Sequence, residues 1–226
     1  GTKGFLRGGQ YAVALALMVG GQERIGVLGC PSWGGPLTGS KGGNGGSLVF
    51  ARRGQGTYIT ALETDSELYA NAWSLETNAA VGELYEQVFT RLQVSDRSDP
   101  TQARLLRSFE AGHTNVDQIS QFAVALGIQA DPVLMDSQVK YALLAAGQGD
   151  LMLRLLSPEN PNYREKAWDQ AAGSLVVEEA GGRATDLDGK PFDFTLGREL
   201  IHNRGVLVSN GPQHTAALQA LKTIGA

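Results

Sequence analysis

Apolar, β-rich runs fill the first quarter of the chain and predict two hairpins. The runs Tyr11 to Val19 and Arg24 to Cys30 are separated by Gly20-Gly21-Gln22, which is typical of a tight hairpin turn. The runs Ser47 to Ala51 and Thr57 to Ala61 flank a second glycine-containing turn. Because four such strands follow one another so closely, they predict an antiparallel sheet.

The pattern changes further along the chain. Leu84, Val88 and Leu92 recur at helical spacing and predict a helix over 83–92, and the polar stretch 95–101 predicts a loop. Beyond that loop, strands alternate with helices, which favours a layered α/β unit. The predicted strands are 105–109, 133–135, 151–155, 183–186 and 205–208, and the predicted helices are 116–126, 138–146, 165–180 and 213–224. We therefore expect two domains, 1–102 as the remainder of an antiparallel α+β domain and 103–226 as a carboxy-terminal α/β domain.

Composition and charge narrow the function classes. The 226 residues carry a formal net charge of -4 and no run of five basic residues, which argues against non-specific nucleic-acid binding. Cys30 is the only cysteine, so no intramolecular disulfide can form, and a reducing, cytoplasmic location is expected. The longest apolar run, 11–19, is too short to span a membrane, so we expect no membrane partner.

The sequence does not match the motifs of a phosphate-binding loop, a helical zinc site or a covalent nucleophile. The glycine-rich stretch Gly34 to Gly46 lacks the Gly-Lys-Ser/Thr order of a phosphate-binding loop and predicts a flexible connection. His113, His202 and His214 are too scattered for a helical zinc motif. The chain contains no G-x-S-x-G sequence, and Cys30 has no nearby histidine in the sequence, so a covalent nucleophile has no support.

Two polar stretches are more informative. In Asp136-Ser137-Gln138-Val139-Lys140-Tyr141, polar side chains stand where a strand ends and a helix begins, an arrangement that favours an anion. Ser137 as a simple helix cap, with Lys140 as a solvated surface charge, is an equally open interpretation.

The second stretch, Trp168-Asp169-Gln170-Ala171-Ala172-Gly173, places a carboxylate in the first turn of the longest predicted helix. Asp169 could be a metal ligand or only a partner of the helix dipole. The small residues 171–173 would let another backbone approach closely. A metal, a helix start and Lys140 together would suit phosphoryl transfer.

The opening segment Gly1 to Gly9, the segment Trp168 to Gly173 and the segment Glu178 to Gly182 resemble the inositol-monophosphatase superfamily of metal-dependent, lithium-sensitive phosphatases. That family carries a D-P-I/L-D-G-T motif and a later W-D-x-A-A-G motif. Within it, the segments 136–141, 151–155 and 111–113 resemble the 3′(2′),5′-bisphosphate nucleotidases. The resemblance implies an α/β fold, a layered α/β/α/β/α sandwich.

The resemblance also implies an activity and a set of roles. The activity is Mg²⁺-dependent hydrolysis of adenosine 3′,5′-bisphosphate to AMP and phosphate, with 3′-phosphoadenylyl sulfate as a related substrate, in sulfur assimilation and salt tolerance. Thr2 would orient the attacking water, and the Gly1-Thr2 backbone would contact phosphate. Asp169 would bind one of two or three Mg²⁺ ions near the scissile phosphate. The remaining substrate-binding residues would be His113, on the adenine side, together with Ser137, Gln138, Lys140 and Arg154.

The chain departs from the family pattern at its start. It begins at the Gly of D-P-I/L-D-G-T, so the upstream metal-binding carboxylates, and with them the amino-terminal part of the sandwich, are expected to be missing. The chain alone is then expected to be incomplete for catalysis, with the upstream fragment as a possible separate chain and a monomer as the intact form. An inositol phosphate phosphatase and a non-catalytic nucleotide-binding fragment stay open as alternatives.

Overall fold

Two five-stranded sheets organise the computed structural model, which describes residues 2–36, 45–63, 88–109, 116–157 and 159–226. The predicted flexible connection 34–46 lies partly outside these residues, as does the first half of the predicted helix 83–92, residues 83–87. The first sheet is antiparallel throughout, as predicted, with its strands side by side in chain order. They are β1 (Val13–Val19), β2 (Gln22–Cys30), β3 (Ser47–Arg52), β4 (Gly56–Ala61) and β5 (Thr90–Leu92).

The turn between β1 and β2 explains the close glycine pair. Gly20 has φ 60° and Gly21 has φ 76°, and two consecutive left-handed residues form the hairpin turn whose twist matches the flanking strands. The predicted hairpin is therefore confirmed.

The predicted helix over 83–92 is wrong at its end, where β5 begins. Thr57 of β4 pairs with Leu92, and Ile59 pairs with Thr90. The sheet edge supplies hydrogen-bond partners to this segment, and tertiary pairing overrides the weak helical spacing of its apolar residues. Leu92 is buried against the central core as a strand residue.

The second sheet is mixed and has the order β7-β6-β8-β10-β9. Its strands are β6 (Leu105–Arg107), β7 (Val133–Leu134), β8 (Leu151–Arg154), β9 (Arg183–Thr185) and β10 (Val206–Ser209). β6 is parallel to β7 and to β8, whereas β10 is antiparallel to β8 and β9. The carboxyl ends of β6 and β8 therefore lie at the same edge of the sheet.

The described residues include five α-helices beside the two sheets. They are α1 (Thr2–Leu6), α2 (Val116–Leu126), α3 (Val139–Ala145), α4 (Ala167–Glu179) and α5 (His214–Thr223). α1 was not predicted, and the other four lie within a few residues of their predicted bounds. No helix among the described residues is long and apolar enough to cross a membrane.

The hydrophobic core contains two main clusters of buried apolar side chains, one on each face of the second sheet. Leu28 of the first sheet, Leu144 of α3, Val176 of α4 and Val208 of the second sheet belong to one buried cluster, so α3 and α4 lie between the sheets. A second cluster joins the opposite face of the second sheet to α2 and α5. The described residues therefore form a sheet–helix–sheet–helix sandwich. The predicted division between residues 102 and 103 stays a prediction. α4, which follows that boundary in the chain, packs on strands of the first sheet.

A buried carboxylate anchors the segment that joins the two sheets. Asp150 has no exposed side-chain surface and accepts hydrogen bonds from Arg104 Nε and Nη2, both at 2.8 Å, and from the hydroxyl of Ser95. Asn210 Nδ2 donates to the carbonyl of Arg97 at 2.8 Å. The predicted loop over 95–101 has no strand or α-helix, and it is held by the side chains of Asp150 and Asn210, which directly precede β8 and follow β10.

Candidate functional site

One cavity of about 610 Å³ collects the predicted site residues. Six of the eight line it, namely Thr2, Ser137, Gln138, Lys140, Arg154 and Asp169. The other two, Gly1 and His113, lie outside the described residues. Residues up to 167 positions apart in the chain therefore share one space, and their individual roles stay predictions.

The fold brings these residues together through the ends of its elements. Thr2 opens α1, and Ser137 and Gln138 precede α3. Arg154 ends β8, and Asp169 lies in the first turn of α4. Since α3 and α4 both lie between the two sheets, their first turns open onto the same cavity as the end of β8.

Ser137 has a strained backbone. Its φ of 61° is the only positive φ at a non-glycine position among the described residues. A left-handed serine costs roughly 1 to 3 kcal/mol and persists where the surroundings enforce it, frequently at functional sites. Its hydroxyl accepts a long hydrogen bond of 3.4 Å from the Val139 amide, so helix capping alone is a weak account of Ser137.

Lys140 is not the solvated surface charge of the alternative interpretation. Its ammonium group donates to Ser108 Oγ at 2.9 Å, to the Ser137 carbonyl at 3.1 Å and to the Met135 carbonyl at 3.2 Å. Burial lowers the pKa of Lys140 to about 8, with Asp136 opposing the shift. The side chain is therefore a fixed cation beside the cavity, poorly neutralised by the protein itself.

An ion pair and two hydrogen bonds follow one another behind Arg154. Arg154 Nε is 3.1 Å from a carboxylate oxygen of Glu165, whose other oxygen accepts from Gln170 Nε2 at 2.7 Å. The Gln170 carbonyl oxygen in turn accepts from the hydroxyl of Tyr141. The guanidinium carbon of Arg154 is 5.3 Å from the centre of the Tyr163 ring, within the range of a cation–π contact.

The carboxylates of the cavity are Asp136 and Asp169, and they differ in their partners. Asp136 is buried and forms an ion pair with Arg7. No described side chain forms a salt bridge or hydrogen bond with Asp169. The described residues contain no group of three or more His, Cys, Asp or Glu that could hold a metal ion. They therefore do not fit a complete metal centre, although Asp169 could contribute one ligand.

Sequence reasoning missed several residues that line the cavity, above all Arg107, with Ser108 and Tyr163. Asp136 and Gln170, which also line it, lie in the two polar stretches of the sequence analysis but were given no individual role. Among the described residues, Arg107 has no side-chain partner, and its Nε is buried without a hydrogen bond. Arg107 lies in the middle of the predicted strand 105–109, and Arg154 lies one residue before the end of the predicted strand 151–155. The observed strands β6 and β8 end at these two arginines, and their parallel pairing places both ends at one edge of the sheet. The sequence alone does not show this placement, because it depends on the strand bounds and on the strand pairing.

A family model described as the inositol monophosphatase family matches residues 1–225. The chain belongs to the inositol monophosphatase family. The resemblance inferred from the sequence is confirmed, and so is the α/β fold class.

Among curated relatives of this inositol monophosphatase family member, the 3′(2′),5′-bisphosphate nucleotidase of Oryza sativa is 38% identical over 227 residues, covering 98% of this chain and 56% of that protein. The 3′(2′),5′-bisphosphate nucleotidase of Schizosaccharomyces pombe is 38% identical over 213 residues, covering 92% of this chain and 53% of that protein. The chain thus spans about half the length of the curated relatives it matches.

Solved structures show the same family fold. The IMPase of Thermotoga maritima has a TM-score of 0.65 at 19% identity, covering 99% of this chain and 66% of that chain. CysQ of Bacteroides thetaiotaomicron, a bacterial member of the inositol monophosphatase family, has a TM-score of 0.59 at 20% identity, covering 92% of this chain and 66% of that chain.

Proposed function

We propose that this chain belongs to a phosphoric monoester hydrolase that converts adenosine 3′,5′-bisphosphate to AMP and phosphate, with 3′-phosphoadenylyl sulfate as a second substrate. The observation that carries the proposal is the set of cations, Arg107, Lys140 and Arg154, which line one cavity of a protein with net charge -4. Two of these cations, Arg107 and Arg154, are at the ends of neighbouring parallel strands. A substrate with two phosphate groups would supply the negative charge that this cavity lacks.

The relatives support a nucleotide as the substrate. Curated proteins that are 36 to 38% identical are named 3′(2′),5′-bisphosphate nucleotidases. In our proposal Lys140 and Arg154 bind the phosphate groups, and Ser137 and Gln138 hydrogen-bond to the nucleotide. Gly1 and His113 keep their predicted roles as contacts to the phosphate and to the adenine.

Hydrolysis places a water oxygen on the 3′-phosphorus as the bond from phosphorus to the 3′-oxygen breaks, and the 3′-oxygen takes up a proton. In the proposal, Thr2 orients the water through its hydroxyl. Enzymes of this family are generally metal-dependent, and Mg²⁺ is the ion we propose, with Asp169 as one ligand. Because the described residues lack a complete metal site, we assign no step to the ion. The cytoplasmic location, the absence of nucleic-acid and membrane partners, and the monomeric intact form stay predictions.

Calorimetric titration of the 226-residue chain tests the substrate class. We expect adenosine 3′,5′-bisphosphate to bind at least tenfold more tightly than inositol 1-phosphate, because it carries one more phosphate for the same cations. Lys140→Met should weaken nucleotide binding, and Lys222→Met, an exposed lysine on α5, is the matched control. Equal affinities for both ligands would favour the inositol phosphate alternative.

Phosphate release tests the activity. In any preparation that releases phosphate from the nucleotide with Mg²⁺, Asp169→Asn should lower the rate steeply with little change in melting temperature, because the amide keeps the size of the side chain but not its charge. Nucleotide binding without phosphate release in every preparation would support the alternative of a non-catalytic nucleotide-binding fragment. Full activity in Asp169→Asn would remove Asp169 from the metal site.

A further inference from the structure

Glu165 is an unusually buried carboxylate beside the cavity. Only 2% of its surface is exposed, and it lies two residues before α4. Its backbone is fixed as well, since the Glu165 carbonyl accepts from the Leu200 amide at 2.9 Å and the Ala167 amide donates to the Arg198 carbonyl at 2.9 Å. Side chain and backbone are thus both held in place.

The carboxylate of Glu165 contacts Arg154 with one oxygen and Gln170 with the other. One carboxylate oxygen is 3.1 Å from Arg154 Nε, and the other accepts from Gln170 Nε2 at 2.7 Å. Gln170 is itself fixed by the hydroxyl of Tyr141, which is buried. Two hydrogen bonds therefore lead from the core to Glu165, whose other oxygen, buried and without a hydrogen bond, forms the ion pair with Arg154 at Nε, the side of the guanidinium group away from its terminal nitrogens.

The terminal nitrogens of Arg154 have little to bind in the protein. Among the described residues, their one hydrogen bond is a long contact of 3.4 Å from Nη2 to the Tyr163 hydroxyl. The Tyr163 ring covers one face of the guanidinium group at 5.3 Å. Both Arg154 and Tyr163 line the cavity. The guanidinium group is thus held at Nε and across one face, with its terminal donors left for a ligand.

Stability alone is a poor explanation for this arrangement. Desolvating a carboxylate and a guanidinium group offsets much of their attraction, so such a pair is weak support for a stabilising role. Burial raises the pKa of Glu165, and Arg154 opposes that rise. Because burying the Glu165 carboxylate carries this desolvation cost, its presence is better explained by its effect on the position of Arg154.

We propose that Glu165 is a positioning residue, which holds Arg154 at Nε so that its terminal nitrogens present two parallel donors to a phosphate group of the substrate. Gln170 completes this role by fixing the second oxygen of Glu165. The proposal rests on the proposed function in one respect, that the ligand of Arg154 is a phosphate of adenosine 3′,5′-bisphosphate.

Two measurements separate this proposal from the proposed function. In the free protein, an NMR spectrum of arginine side chains should show the Arg154 Nε–H, assigned by its loss in Arg154→Lys, exchanging slowly with water. Glu165→Gln should make that signal exchange fast, while Glu199→Gln, an exposed glutamate paired with Lys166, should not. An unchanged Arg154 signal in Glu165→Gln overturns the positioning role, whatever the substrate is.

Titration with adenosine 3′,5′-bisphosphate supplies the second measurement. Glu165→Gln should weaken binding at least tenfold, and the double variant with Arg154→Lys should bind no worse than Arg154→Lys alone, since both changes remove one interaction. Additive losses would show that Glu165 affects binding independently of Arg154, and they would overturn the proposal. If Glu165→Gln does not fold, Glu165→Asp keeps the charge but withdraws it from Arg154, and binding equal to that of the unmodified protein would overturn the proposal. No nucleotide binding in the unmodified protein, with a protected Arg154 signal, contradicts the proposed function alone.

Discussion

Acidification should destabilise this protein through one buried imidazole, that of His214. His214 is 1% exposed at the start of α5 and lies between two hydroxyl groups, with Nδ1 2.8 Å from Ser209 Oγ and Nε2 3.1 Å from Thr185 Oγ1. The Thr185 hydroxyl donates to the Asp186 carbonyl, so it accepts from Nε2–H, and the Ser209 hydroxyl donates to Nδ1. The neutral imidazole is therefore fully hydrogen-bonded, and a proton on Nδ1 would displace the Ser209 donor.

The magnitude follows from the pKa of this group. Burial, with a smaller contribution from Arg183, lowers the pKa of His214 to about 4 from 6.5. Between these two values the unfolded chain binds a proton that the folded protein does not, so the free energy of unfolding falls as the pH falls from about 6.5. At about 1.36 kcal/mol for each pH unit, the loss is about 2 to 3 kcal/mol at pH ~4.5.

Urea unfolding at pH ~7.5 and pH ~4.5 measures this loss. His214→Gln cannot titrate, so its free energy of unfolding should fall by about 2 to 3 kcal/mol less over the same pH interval than that of the unmodified protein. His202→Gln, at an exposed histidine, is the matched control and should keep the full acid sensitivity. Equal pH dependence in the unmodified protein and in His214→Gln would refute the reasoning, as would an NMR titration of His214 near its ordinary pKa.

Three further predictions concern stability and binding. Asp150→Ala should lower the free energy of unfolding by about 3 kcal/mol, because the Arg104 side chain loses its carboxylate partner, whereas Asp188→Ala at an exposed ion pair should change it by less than about 1 kcal/mol in the same denaturation assay. Arg107→Met should weaken binding of adenosine 3′,5′-bisphosphate roughly 10- to 100-fold in calorimetry by removing a charge-assisted contact, whereas Arg24→Met should leave it unchanged. Nucleotide affinity should fall as the pH rises through the Lys140 pKa of about 8 and the ammonium group loses its charge, and a titration series should show this fall flattened in Lys140→Met.

Local patterns predicted the elements of this fold well where sequence and tertiary context agree. The helix predicted over 165–180 is observed as Ala167–Glu179, and it ends before Gly181, which has φ 93°. The small residues predicted to allow close approach also do so. A Cβ on Gly173 would lie 2.4 Å from the Tyr141 ring, and a Cβ on Gly26 would lie 2.7 Å from the Ala172 carbonyl oxygen.

The failures have a common physical origin in long-range contact. Leu92 shares helical spacing with residues before it, but in the sheet it lies opposite Thr57 of β4, and nothing local in the sequence records that pairing. Arg107 lies in the middle of the predicted strand 105–109, and its place at the edge of the cavity becomes visible only when β6 ends at Arg107 beside β8. Glu165 lies in a predicted helix start, where a solvated carboxylate is expected, and only the packing against Arg154 makes it a buried partner of the cavity.

The balance of charge in the cavity connects these observations. Of its two carboxylates, Asp136 is already paired with Arg7, which leaves Asp169 without a described partner. The carboxylate that holds Arg154 lies behind it, and Lys140 is bound by a hydroxyl and two carbonyls, which carry no full charge. Arg154 has its carboxylate partner on the side away from the cavity, and Lys140 is hydrogen-bonded to neutral groups. Both therefore keep much of their positive electrostatic potential on the side that faces the cavity. This distribution of charge supports the proposed binding of an anion with more than one negative charge, beside Asp169, the unpaired carboxylate of the cavity proposed as a metal ligand.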